Sequence, residues 1–288
     1  SDAVRVRCRW HRWRGVCGQN QSRHSRHISG GYLMGQTIKG LLALSVSTIA
    51  VHAMYIIVIR PKAMMMEALA AQGQPELTRS IWIILKDFEQ EVCFILMFWA
   101  MFLIFDKIMQ ITKSSFLFDV DFLKGDDLSP SNIKQVLAEL DSMKHDLADA
   151  PLIRVLRSSL RRFLVAGDIH SASEVVESEC AALANKNEAE NSMIRYLIWA
   201  VPSIGFIGTV RGIGEALSRA DEALAGNISG MTSSLGVAFN STLVALVISI
   251  VLMFLLHQLQ RLQDSLIVSV NDYLQQKVLD RLSKASSS

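Results

Sequence analysis

Apolar residues gather into four long runs, and the chain between them is polar and patterned at helical spacing. A helix that spans a bilayer needs about 20 mostly apolar residues. The first run extends from about Ile38 to Ile59 and is expected to end at Arg60-Pro61. The second begins near Ile81, is interrupted by Lys86, Asp87, Glu89 and Glu91, and is cleanly apolar only from Val92 to Phe105. It reads as an interfacial amphipathic entry followed by a short span. The third run covers about Tyr196 to Ala216 and the fourth about Met231 to Leu256.

Between the second and third runs, Ser129-Pro130 predicts a helix start, with Leu137, Leu140, Met143 and Leu147 recurring behind it. Another helix opens at Pro151, where Leu152, Val155, Leu156 and Leu160 alternate with Arg154, Arg157, Arg161 and Arg162, and Gly167 stops it. Ser171-Ala-Ser-Glu174 fits a capping box, for a helix expected to run straight into the third span. After the fourth run, Leu259, Leu262, Leu266, Val270 and Leu274 continue an apolar stripe. No strand pattern or internal repeat stands out.

The fold expected is therefore an all-α integral membrane protein. Its four transmembrane helices carry a helical cytoplasmic insertion between the second and third. The expected segments are a basic leader (1–33), the first span (34–60), an extracytoplasmic loop (61–80), and an interfacial helix with the second span (81–105). A cytoplasmic helical region (106–192), the third span (193–218), a second outer loop (219–230), the fourth span (231–256) and a cytoplasmic C-terminal helix (257–288) follow.

Composition narrows the function classes. Half of the 288 residues are hydrophobic and mean hydropathy is +0.29. A net charge of +2 gives no bulk attraction for nucleic acid. Cys8, Cys17, Cys93 and Cys180 show neither metal-ligand spacing nor a disulfide framework. No nucleophile–base pair, metal motif or phosphate loop is present, and Gly212-Ile-Gly-Glu-Ala-Leu217 has no strand before it. An enzyme is not expected, nor a cofactor. The leader mixes Arg, His and Trp without periodicity and reads as non-structural. Basic residues near both ends (Arg26, Lys39, Arg261, Lys277, Arg281) put the N- and C-termini in the cytoplasm, although Arg60, Lys62 and Arg79 fall in the outer loop.

The third and fourth runs hold stripes of small residues. Gly208, Gly212 and Ala216 recur every four residues, and Ser234, Ala238, Ser241, Ala245 and Ser249 recur at the three- and four-residue steps of a helix face. Small residues on one face let helix backbones approach closely in a membrane. Thr209 lies 17 residues before the turn at Gly226 and Thr242 lies 16 after it. With a rise of about 1.5 Å per residue, a helical hairpin brings both hydroxyls to one depth. Two such hydroxyls could line an ion path without an intramembrane charge; equally, each could bond its own preceding-turn carbonyl.

Ala200-Val-Pro-Ser-Ile-Gly-Phe-Ile-Gly-Thr-Val-Arg-Gly-Ile213 resembles a motif of the MotA/TolQ/ExbB proton-channel family, and Gly236 to Leu256 resembles the segment that follows it there. Pro202, Gly205, Gly208, Gly212, Thr209 and Thr242 fall on the family's proline, glycines and threonines. Gly167-Asp168, ahead of the motif, fits as well. The resemblance covers roughly residues 160–260. Arg211, Ala245 in place of a glycine, and the missing proline near Ser249 depart from the pattern. Arg211 is expected to snorkel or to pair with Glu215 one turn on.

The resemblance implies a homo-oligomeric ring, typically a pentamer, in the bacterial inner membrane around a dimer of single-span partners like MotB, TolR or ExbD. The partner would supply the protonatable Asp, and ion flow would drive mechanical work. Thr209 and Thr242 would line the ion path. Pro202, Gly205, Gly208, Gly212, Ala238, Ser241 and Ala245 would set helix packing and shape, and Asn240 would make an inter-subunit polar contact. His52 as a relay is not favoured, and Glu89 and Glu91 are expected on a solvated interfacial face. A competing reading is a non-conducting scaffold or signalling protein acting through its cytoplasmic helices. Neither the process driven nor H⁺ against Na⁺ is decided by these residues.

Overall fold

The computed structural model describes residue 35 and residues 38–71, 80–119, 122, 130–143 and 150–282. The leader, the Ser129 cap and Leu147 lie outside the described residues. Those described form helices and short turns, with no strand among them. In chain order the helices are α1 (38–71), α2 (Ile81–Ile84), α3 (Phe88–Ser115), α4 (Pro130–Ser142), α5 (Pro151–Ala166), α6 (Ile169–Ser218), α7 (Ala220–Leu224) and α8 (Ser229–Leu274, continuing to 282). Four of them, α1, α3, α6 and α8, are long and apolar enough to cross a membrane, as the four apolar runs predict.

The first helix does not stop at Arg60-Pro61. It runs on to Ala71, so residues 61–71 are helical and not loop. A proline lacks an N–H and its ring crowds the carbonyl one turn back. Here a wider π-helical turn, Tyr55–Ile59, precedes the proline, and the Arg60 N–H bonds to Tyr55 O. Such a bulge changes which carbonyl the proline ring meets, and the helix continues.

The capping box is also displaced. The N-cap of α6 is Asp168, whose side chain accepts from the His170 and Ser171 N–H groups. Ser171 therefore sits in the first turn. Gly167 ends α5 in the left-handed conformation at φ 67°, so a Gly-Asp pair both stops one helix and starts the next. From there α6 runs without a break for 50 residues into its apolar half.

The long helices α6 and α8 join two cores. The first packs Leu152, Leu156 and Leu160 of α5 against Ile133 and Leu140 of α4, Val176 of α6, and Val270 and Leu274 of α8. The second lies among the apolar halves, where Trp99 and Ile104 of α3 meet Leu197 and Val201 of α6 and Leu252 and Leu256 of α8. A buried amide pair, Asn191 to Gln263 at 2.7 Å, lies between them along both helices. The helix α1 packs on the outside of α3 through Val51, Tyr55 and Ile59, and Trp99 Nε1 donates to Gly40 O at 2.9 Å.

Candidate functional site

The seam between α6 and α8 is built from side chains too small to hold two helices apart. A Cβ added at Gly205 would lie 2.6 Å from Ala245 Cβ, at Gly208 2.7 Å from Ser241 Cβ, and at Gly212 2.8 Å from Ala238 Cβ. No real Cβ sits that close, so each glycine is required by the approach of the opposite helix. Gly205, Gly208, Gly212, Ala238, Ser241 and Ala245 are all buried.

Proline on this seam carries a cost that its neighbours cover. Without an N–H, Pro202 leaves the Ile198 carbonyl one turn back without its helical donor. Ser249 Oγ, reaching across from α8, donates to Ile198 O at 3.1 Å. Cys93 Sγ of α3 donates to the adjacent Val201 O at 3.7 Å. In the membrane a freed backbone group has to be satisfied by another helix, and Ser249 does this from α8.

At the level of this seam the two threonines meet. Their Oγ atoms are in hydrogen-bond contact. Thr209 Oγ1 also reaches its own Gly205 O at 3.3 Å and the α8 carbonyl of Ala238 at 3.2 Å. Thr242 Oγ1 reaches Gly205 O across the seam at 3.2 Å. The preceding-turn bond therefore exists for Thr209 but is one of several, and Gly205 O is shared by both hydroxyls. Both residues are half-buried. Asn240 is also half-buried but makes no side-chain hydrogen bond to a described residue.

The charged residues near this level differ from expectation. Glu89 and Glu91 are buried, at 5% and 3% exposure, not solvated. Arg211 grips Glu89 with Nε at 2.6 Å and Nη2 at 2.9 Å, linking α6 to the first turn of α3. Glu215 instead pairs with Arg219. Glu91, on the opposite side of α3, takes Arg60 Nη2 at 2.8 Å and His52 Nδ1 at 2.5 Å from α1. Burial of an acid is tolerated where a cation and hydrogen bonds meet it, and the N-terminal turn of α3 favours negative charge as well. Residues two apart on a helix point to different faces, which is why one acid reaches α6 and the other α1.

Arg211, the departure from the motif, thus finds its partner 122 residues away. A cation inside a span calls for a nearby anion, and that signal in the sequence pointed to an acid. The acid expected is Glu215; Glu89, expected on a solvated face, takes its place because α3 packs against α6. Among the described residues no group of His, Cys, Asp and Glu could hold a metal ion.

No curated protein and no solved structure matches the chain. Residues 147–272 match the model of the MotA/TolQ/ExbB proton channel family, and this matched part of the chain carries the glycine seam and both threonines.

Proposed function

We propose that this chain is the ring-forming subunit of an ion-driven membrane motor or channel. Ions pass along the Thr209–Thr242 level, and a single-span partner supplies the exchangeable Asp. The observation that carries this reading is the mutual contact of the two hydroxyls on a seam within the family-matched region. No acid lies on α6 or α8 at that depth: from Tyr196 to Ala216 the one acid is Glu215, and Met231 to Leu256 contains none. The nearest one, Glu89, has both oxygens engaged by Arg211. The acid that exchanges a proton at the depth of the two threonines is therefore expected from outside the chain.

Large apolar side chains flank the threonines without a partner in the single chain, among them Phe206, Val210, Phe239 and Leu243. They support packing against further copies, a partner helix or lipid. Asn240 would then bond across a subunit boundary, and a ring of five in the inner membrane, with both termini and residues 106–192 cytoplasmic, is the assembly proposed. Affinity purification of the full chain from its native membrane tests the reading. The expected result is co-purification of a single-span protein with one Asp inside its span. A stable assembly without such a protein would favour a non-conducting scaffold.

A further inference from the structure

Four buried polar atoms at the loop end of the bundle make no hydrogen bond to any described residue: Tyr55 Oη, Asp87 Oδ2, and Gln90 Oε1 and Nε2. Tyr55 and Gln90 are fully buried, at 0% exposure. They belong to one neighbourhood. Tyr55 lies on the face of α1 between His52 and Arg60, both of which hold Glu91, and its ring packs on Phe94 one turn further along α3. Gln90 stands between Glu89 and Glu91 in the same turn of α3, and Asp87 immediately precedes that helix.

Leaving such groups unpaired in a membrane protein is costly, and water is the usual remedy. Their chemistry is complementary to water and not to an apolar ligand. The Tyr hydroxyl and the Gln NH₂ donate, while the Gln carbonyl and the Asp carboxylate accept. One or two waters could make the two to four bonds that a buried water requires.

We propose that Tyr55, Asp87 and Gln90 enclose an internal water site, and that Asp87 there takes up a proton on its way to the threonine level. A proton arriving on the bound water passes to Asp87 Oδ2, leaving neutral water and a carboxylic acid, and returns to water on release. The groups around Asp87 are Lys86, which is engaged by Glu67 of α1, together with Glu89, and Arg211 of α6. Tyr55, Glu91 and Arg60 stand on the α1 side. Burial outweighs the cations and holds the Asp87 carboxyl above the ordinary carboxylate range. Glu89 connects this site to the seam, because its Cγ would lie 3.1 Å from a Cβ at Gly208, next to Thr209.

The water site stands by itself; its role as an antechamber rests on the channel reading. The full chain in lipid nanodiscs, pulsed with X-rays in H₂¹⁸O, reports bound water by ¹⁸O incorporation into neighbouring side chains. Tyr55 is expected to label at least tenfold faster than Trp99, whose Nε1–H is already bonded to Gly40 O. The Gln90→Leu variant is expected to lose most of that labelling. A Tyr55 as inert as Trp99, or labelling unchanged by Gln90→Leu, overturns the site. For the antechamber, proton flux in native membranes should fall about tenfold in Asp87→Asn and stay near wild type in Asp87→Glu. Flux unaffected by Asp87→Asn, but lost in Thr209→Val, removes the antechamber and leaves the channel reading standing.

Discussion

The core shared by α4, α5 and the far ends of α6 and α8 is filled with Leu, Ile, Val and Tyr, whereas the seam between the apolar halves of α6 and α8 is lined with Gly, Ala and Ser. The same two helices build both. Where water is the alternative environment, removing large apolar surface from it holds helices together. Where lipid is the alternative, an apolar side chain gains nothing by turning inward, and close backbone approach and hydrogen bonds take over. The buried Asn191–Gln263 pair lies between the two regimes.

The comparison predicts opposite responses to side-chain size. Leu156 is fully buried in the first core. Leu156→Ala should cost about 2–5 kcal/mol through lost transfer energy and a cavity, read as earlier denaturant unfolding of the region around α5. In the seam it is enlargement that harms. Gly208→Ala forces a methyl to within 2.7 Å of Ser241 Cβ, at a cost of about 1–3 kcal/mol for overpacking. Thermal melting in detergent should show it, and Ser241→Gly in the same chain should recover part of it. If Gly208→Ala melts like the parent, the seam is not as tight as described.

A smaller effect sharpens the hydrogen-bond half of the contrast. Ser249→Ala removes the donor to Ile198 O and should cost about 1 kcal/mol. In a Pro202→Ala background the helix supplies its own donor, so the serine should matter less. A double-mutant cycle with no coupling would separate the two residues.

The smallest effect lies at the junction before α6. Two backbone N–H groups hold the exposed Asp168 carboxyl below its ordinary range. A lowered folded value contributes stability that is present above the unfolded value, about 3.9, and is lost as pH falls through the lower folded one. Amide exchange at His170 and Ser171 should therefore gain protection on raising pH through that window, after correction for intrinsic rates, and Asp168→Ala should abolish the change.

Much of this was legible in the sequence because helical periodicity and small-residue stripes are local. The four apolar helices, the Gly167 stop and the common level of Thr209 and Thr242 all follow from spacing along one chain. What escaped depends on which helices become neighbours. Arg60-Pro61 reads as a stop unless the π-turn before it is known. Glu89 and Glu91 read as solvated because their cations, Arg211 and Arg60, come from other helices. Ser249 reads as one more small residue until the carbonyl freed by Pro202 is found opposite it.

The central claim is that ions use the paired hydroxyls. Proton flux driven by an imposed pH gradient, measured in membranes holding the full chain and its native partner, tests it most directly. Thr209→Val and Thr242→Val keep side-chain shape and remove one hydroxyl each. The account predicts that either lowers flux by at least about tenfold, the scale of a lost hydrogen bond to a charged group, while Thr→Ser at both positions keeps most of it. Flux at the parent level in both Val variants, with assembly intact, would contradict it.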